Sequence, residues 1–386
     1  KLDSTVNGKI TPGDRDCFAF SARDGQRVVI ECFTHRIDSQ LRAILTLFDK
    51  RGRQLAVSRG YHGIDPLIDF RVPADGDYVI RIHDLVYSGG DNHYYRLDID
   101  TGPRVAFAVP SVIRGGESTT VRLFGWNLAA KRGPGGAGRP GPGSESGFDE
   151  LRVVIPASRA RAEWPLPLRL PAAATVIDGL AWHHPGTQAP VLIGVTNVPV
   201  ILEADNNASA AVAQPIPVPC EVSGQLVRGD ERDWFAFEAR RGEVFHLEAL
   251  GQRIGSPVDL ELSVWDEPGR RELFQAVDQV ESIGGKLLPT AHTDPAGRWV
   301  APADGSYRLV IRTVIGRLQA DPRRVYRLIV RREEPIFDLA VIPHRASTGA
   351  FNLSRGGREV FDVIAFRRRG HAGPIRITAR DLPDGV

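Results

Sequence analysis

A chain of 386 residues has room for roughly two to four domains, each burying its own core. Its 49 Lys and Arg against 47 Asp and Glu leave it close to neutral, which removes any electrostatic case for nucleic acid or an anionic membrane as partner. No apolar run approaches the ~20 residues of a membrane-spanning helix, and 40 Gly with 28 Pro favour a turn-rich β protein over a helical one.

Residues 1–102 read as short strands. Cys17–Phe20, Arg27–Phe33, Ala43–Asp49, Tyr78–His83 and Tyr94–Ile99 alternate or run apolar over strand lengths. Arg-Asp-Gly, Lys-Arg-Gly and Ala-Asp-Gly supply the turns between them. No long helical period interrupts the pattern, so an antiparallel sandwich is expected. Cys17 and Cys32 flank the turn at Asp24-Gly25; a disulfide between them and two free buried thiols are both open. In the Pro73–Tyr78 element, Pro73 ends a strand, Gly76 supplies a positive φ and Tyr78 anchors the next strand. His62, Asp65 and Asp69 lie close together without an aligned counterpart downstream and read as a solvated loop.

Residues 103–202 change character. RVAFAVPSVIRGGESTTVRLFGWNL gives strand, Pro turn, strand and a closing Gly-Trp-Asn-Leu. Residues 129–147, AAKRGPGGAGRPGPGSESG, cannot bury enough surface to order themselves and are expected to form a mobile loop. LRVVIP and APVLIGVTNVPVILEA add further strands. The opening of this region resembles the start of an immunoglobulin-like domain of the transcription-factor (IPT/TIG) type.

Residues 203–333 repeat the first region. GDERDWFAFEARRGEVFHLEA from Gly229 answers GDRDCFAFSARDGQRVVIEC from Gly13, PADGSYRLVI from Pro302 answers PADGDYVIRI from Pro73, and YRLIV from Tyr326 answers YRLDI from Tyr95. Trp234, Trp265 and Trp299 align with Cys17, Phe48 and Phe70 and read as core, whereas Trp164 and Trp182 lie in the irregular middle region and are freer to be exposed. Residues 334–386 open a truncated immunoglobulin-like domain in which IFDLAVIP, EVFDVIAFRRRG and GPIRITARDLPDGV read as three strands. The expected fold is all-β: tandem antiparallel β-sandwiches, jelly-roll-like and immunoglobulin-like.

The linker ILEADNN, the loop GDERDWFAF and the turn PADGSY together resemble the bacterial pre-peptidase C-terminal domain. Residues 8–101 carry the last two parts, residues 203–333 all three. The resemblance implies non-catalytic jelly-roll-like sandwiches of exported proteins, often beside proteases and related to the collagen-binding domains of collagenases. It also implies calcium in the second copy, held by Glu203, Asp205 and Asn207 of the linker and Asp230 and Asp233 of the loop. Calcium takes six to eight hard oxygens, which carboxylates and an amide supply. This sequence departs from the family pattern at Asp205, Asn206 and Ala208, and the first copy has a loop one residue shorter, with Asp14 and Asp16. A second reading makes Asp16 and Asp233 turn caps that accept backbone hydrogen bonds.

Enzyme signatures are missing from the sequence: there is no His-Glu-x-x-His, no Gly-x-Ser-x-Gly and no phosphate loop. The adjacent His183 and His184 precede Pro185 in a turn, with no Cys or acid at metal spacing. The absence of an initiating Met and the ending DLPDGV point to an internal piece of a longer exported protein. The expectation is a non-enzymatic accessory or spacer segment, extracellular or in the cell envelope, with polysaccharide or matrix protein as partner and no membrane span. The alternative is the accessory region of a secreted peptidase whose catalytic domain lies outside this chain.

Overall fold

The computed structural model describes residues 1–128, 147–160, 177–187, 189–282, 290–314, 320–344 and 355–380. Trp164 and nearly all of the expected 129–147 loop lie outside the described residues. Among those described, the chain is all-β, with only short 3₁₀ turns such as His35–Ile37, Ala210–Val212 and Gln252–Ile254 besides its strands.

The first sandwich is built from β1 (Ser4–Lys9), β2 (Arg15–Ala22), β3 (Arg27–Phe33), β4 (Ala43–Asp49), β5 (Gln54–Ser58), β6 (Leu67–Arg71), β7 (Gly76–Asp84) and β8 (Tyr94–Asp100). Its sheets run β1-β8-β3-β6 and β2-β7-β4-β5. Alternation along β2 places Phe20 and Ala22 inward while Arg15 and Ser21 face water. Ile30, Leu45, Leu47, Ile80, Ile82 and Leu97 fill the space between the sheets. Cys17 and Cys32 are both free; Cys32 is buried, but Cys17 is exposed, on β2 of the opposite sheet. The turn before β7 is locked by the Tyr78 hydroxyl, which donates to Ala74 O at 2.7 Å. Gly76 is not in the left-handed region, so its expected positive φ is not what shapes the turn.

A smaller sandwich follows: β9 (Arg104–Val109), β10 (Val112–Arg114), β11 (Thr119–Trp126), β12 (Asp149–Ile155), β13 (Gly179–Trp182) and β14 (Val191–Thr196). Its sheets run β12-β11-β9 and β10-β14-β13, with β10 and β14 parallel. Val121, Leu123 and Ile155 of one sheet pack on Ile113, Leu180 and Ile193 of the other.

The third sandwich comprises β15 (Val200–Leu202), β16 (Gln214–Pro215), β17 (Cys220–Gln225), β18 (Arg232–Ala239), β19 (Val244–Leu250), β20 (Leu260–Trp265), β21 (Glu272–Gln275), β22 (Val277–Gln279), β23 (His292–Val300), β24 (Gly305–Thr313) and β25 (Val325–Arg332). Its sheets run β15-β17-β25-β19-β23-β22 and β16-β18-β24-β20-β21, and β15 and β16 pair in parallel with β17 and β18. Trp234 and Trp299 are buried and Trp265 is half-buried. The Tyr307 hydroxyl donates to Ala303 O at 2.8 Å, the same contact that Tyr78 makes. A final hairpin pairs β26 (Ile336–Pro343) with β27 (Phe361–Arg368). The third strand expected after it does not form within residues 373–380, which have no partner strand.

The small sandwich is gripped from both sides. On the first side, Arg27 bonds Asp69 at 2.7 and 2.6 Å and reaches across to Asp149 at 3.0 Å. Arg104 ties back to Glu31, to Asp98 at 3.3 Å and to Asp100 at 3.5 Å. Phe107, Trp126 and Phe148 pack with Val29 and Leu67. On the second side, Glu221 is 0% exposed and accepts from Arg327 at 2.5 Å and Arg331 at 2.7 Å. Arg327 also donates to Asp178 O at 3.0 Å and Arg331 to Thr196 at 2.9 Å. Ile177 and Leu192 pack on Leu250 and Ile329. The two large sandwiches also touch directly, where Arg323 stacks 3.6 Å above the Tyr61 ring.

Candidate functional site

Each large sandwich carries a glycine, a tyrosine and an aspartate that belong together. In the first, β1 and β8 place Gly8 opposite Tyr95, and the Tyr95 hydroxyl donates to Asp16 Oδ2 at 2.5 Å. In the third, β17 and β25 place Gly224 opposite Tyr326, whose hydroxyl donates to Asp233 Oδ2 at 2.6 Å. A Cβ on either glycine would collide with the tyrosine ring. Asp16 and Asp233 therefore take a tyrosine hydroxyl and not the backbone donors of a turn cap.

The third sandwich adds acids around this contact. Asp233 is 1% exposed at the start of β18. Glu203, just after β15, is half-buried; its backbone N–H donates to Ser223 O and its Oε2 accepts from Gln225 N at 3.2 Å. Burial and the nearby Glu203 charge push the Asp233 carboxyl up to about 8, against the Tyr326 hydrogen bond that lowers it. Burial, with the like charges of Glu231 and Asp205, pushes Glu203 up to about 7. Asn207 is buried; its backbone carbonyl accepts from Trp234 N at 2.9 Å, and its Nδ2 has no partner among the described residues. An amide's O and N are nearly isosteric, so the opposite flip would put a hard oxygen at that buried position.

Of the five residues nominated from sequence, the fold brings Glu203, Asn207 and Asp233 into one region. Asp205 and Asp230 face solvent, and Asp230 has Arg228 beside it at 3.9 Å. Glu231, which sequence reading passed over, joins the group: Arg228 N donates to its Oε2 at 3.0 Å, and its charge raises both Glu203 and Asp233. Among the described residues no three acid, thiol or imidazole side chains stand close enough together to grip a metal. The donors present fit calcium in kind, hard oxygens on an extended segment beside a loop, and fit its number only with backbone carbonyls and water.

The His62, Asp65 and Asp69 group is not a solvated loop. Asp65 is 0% exposed and accepts from Thr34 Oγ1 at 2.7 Å, His35 N at 2.8 Å and Arg36 Nε at 2.8 Å, while Arg36 also bonds Glu31 at 2.6 Å. It has a counterpart: Asp294 accepts from Gly251 N at 2.8 Å, Gln252 N at 2.7 Å and Arg253 Nε at 2.7 Å, and Arg253 bonds Glu248 at 2.5 Å. His62 sits beside Glu31 at 3.6 Å, and burial lowers it to about 4, so it is neutral at physiological pH.

A serine–histidine contact also occurs, Ser88 Oγ to His93 Nε2 at 3.3 Å. The Ser88 hydroxyl gives its proton to Asp84 at 2.7 Å, and His93 Nδ1 has no acid to orient it. That arrangement lacks the base and orienting group of a nucleophilic site. Trp126 is buried at the first junction, and Trp182 is half-buried with its indole N–H unpartnered.

No family model matches the chain, and no curated protein matches it. Among solved structures it is similar to the pre-peptidase C-terminal domain of a collagenase from Bacillus anthracis, at 17% identity over 25% of this chain and 89% of that one, with a TM-score of 0.22. It is similar to a periplasmic inhibitor of g-type lysozyme from Aeromonas hydrophila at 18% identity over 25% of this chain and 84% of the inhibitor, TM-score 0.21. The tandem CBM51 modules of a family 98 glycoside hydrolase from Streptococcus pneumoniae align at 7% identity over 85% of this chain and 83% of theirs, TM-score 0.18.

Proposed function

We propose that this chain is a non-catalytic spacer and binding segment of a larger exported protein, in which two large β-sandwiches are held at a fixed separation by the small one between them. The observation that carries the reading is the double grip on the small sandwich. Arg27 and Arg104 close its first side and Glu221, with Arg327 and Arg331, its second, all largely buried. Flexible arrays need no such contacts; interfaces of this kind make neighbouring units move and unfold together. The likeness of the Gly229–Phe237 loop and its linker to pre-peptidase C-terminal domains supports an exported host and an extracellular polymer, polysaccharide or matrix protein, as partner.

Within this segment the third sandwich takes a calcium ion through Glu203 and Asp233 with the Asn207 amide, backbone carbonyls and water completing the oxygen shell. Support comes from two carboxyls pushed up by burial and by neighbouring acids, beside a buried amide atom without a partner among the described residues. A cation there would supply the missing countercharge.

Calorimetry tests the spacer reading. The chain is expected to unfold with residues 1–333 in one cooperative transition; independent melting of the sandwiches in the wild type would overturn it. An array of polysaccharides and matrix proteins tests the binding half: retention on at least one polymer is expected, and retention on none would leave the spacer role alone.

A further inference from the structure

The two junctions that follow the large sandwiches are built on the same plan with opposite charge. Glu31 and Glu248 fix the alignment, since each accepts from the arginine five residues on. One cross-strand row at the first junction reads Asp69, Val29, Asp100. The corresponding row in the third sandwich reads Arg298, His246, Arg331. The strands that follow also correspond. β9 starts after Pro103 with Arg104 opposite Trp126, and β26 starts after Pro335 with Ile336 opposite Arg368. The next residue is left-handed in both, Asn127 at φ 55° and Arg369 at φ 52°.

What differs is how each junction is satisfied. At the first, Arg104 and Arg27 neutralise the acids, and Asn127 Nδ2 donates to Arg27 O at 3.2 Å. At the second, the arginine in Asn127's place is half-buried and meets no hydrogen-bond acceptor and no carboxylate at ion-pair distance among the described residues. Burial and the like charges of Arg331 and Arg368 hold its pKa below the ordinary value, against the opposing charges of Glu248 and Glu334. Of the acids nearby, Glu333 is engaged by Arg298 at 2.9 Å and Glu248 by Arg253 at 2.5 Å, while Glu334 is exposed and makes no ion pair with Arg369 among the described residues. Nε–H of Arg331 and Nε–H of Arg368 are buried without partners among the described residues, although Arg368 pairs through Nη2 with Asp338 and Arg331 through its Nη groups with Glu221, Thr196 and Asn197. A left-handed arginine is also an unusual choice, because that region favours Gly and Asn. Buried donors without acceptors are costly, and guanidinium groups bind tetrahedral oxyanions strongly.

We propose that the junction between the third sandwich and the β26–β27 hairpin binds a tetrahedral oxyanion, sulfate or phosphate, free or as an ester on a polymer, through Arg369 and the free Nε–H groups of Arg331 and Arg368. The site is separate from the calcium pocket and does not depend on the spacer reading. Its test is a titration of the full chain with sodium sulfate, and separately with phosphate, at constant ionic strength adjusted with chloride, followed by melting temperature and calorimetry. A saturable rise is expected for the wild type. Arg369→Asn, which installs the residue found at the first junction, is expected to keep the melting temperature in chloride and to bind at least tenfold more weakly. Arg369→Gly, also suited to the left-handed backbone, serves as a second variant. Chromatography on dextran sulfate against neutral dextran separates the two sources of the group: Arg369-dependent retention on the sulfated matrix assigns the ester, and binding of the free ion without retention assigns the ion. A wild-type response that never saturates, or variants that keep the wild-type response, would overturn the proposal.

Discussion

Gly8 and Gly224 matter for the atom they lack. Each leaves room for the tyrosine that reaches from one sheet to a buried or half-buried aspartate on the other. Gly224→Ala is expected to cost about 1–3 kcal/mol by overpacking and to displace the Tyr326 hydroxyl from Asp233, measurable by urea denaturation. The acids beside it set a pH dependence. Asp233 is raised to about 8 and Glu203 to about 7, both above their unfolded values near 4. The folded chain therefore holds more protons there than the unfolded one, and stability falls as pH rises. The contribution is complete below pH ~4 and is lost through pH ~8. In chelator, the melting temperature should fall across that window for the wild type and fall less for Asp233→Asn, which has no charge to bury. At pH 8, calcium should raise the wild-type melting temperature by ligand linkage, leave Asp233→Asn unmoved and raise Asp230→Ala as it does the wild type. A curve indifferent to calcium would sink the assignment. The Gly-Asp loop was legible because acids and aromatics stand out in a sequence. The glycine was not, although Val6-Asn-Gly-Lys-Ile10 and Val222-Ser-Gly-Gln-Leu226 repeat it, because an absent side chain acts only through a tyrosine far along the chain.

At the scale of elements, the most instructive pieces are the short turns at His35–Ile37 and Gln252–Ile254. Neither has the length or capping to persist alone. Each is held by an aspartate from elsewhere, Asp65 or Asp294, that gathers backbone N–H groups and an arginine Nε–H into one buried carboxylate. Asp294→Asn leaves Arg253 with one fewer counter-charge in a buried setting and should cost about 3 kcal/mol, read as a lower denaturation midpoint with an unchanged slope. A loss of a few tenths, as for an exposed turn aspartate, would show that the network is ornamental. Both turns share Arg-Ile-x-Ser, at Arg36–Ser39 and Arg253–Ser256, so half of each element was readable. The other half was masked by spacing: aspartate follows arginine by 29 residues in the first sandwich and 41 in the third. The strands themselves were easier. β3 and β4 fall where alternation and turn residues place them, whereas β1, β5 and β6 are too short or too polar to announce themselves.

The whole molecule is decided at its junctions, where local pattern says least. Arg104 opens β9 and lies among Glu31, Asp98 and Asp100, all buried on the outer face of the first sandwich. Burial raises Glu31, yet Arg36 and Arg104 together hold it below its ordinary value, so Glu31 stays charged and depends on the arginines. Removing one partner of a buried ionic network strands the others, at about 3–5 kcal/mol. Arg104→Ala should therefore split the melting endotherm, the first sandwich separating from the remainder, while exposed Arg51→Ala leaves a single transition. Because the network is buried, moderate salt should screen it little, and the wild-type transition should stay single from low salt to about physiological strength. If Arg104→Ala merely lowers one cooperative transition, Arg27 and the aromatic packing of Phe107, Trp126 and Phe148 are holding the junction without it. If the wild type itself divides as salt rises, the grip is a surface attraction, and the sandwiches are a string of independent beads.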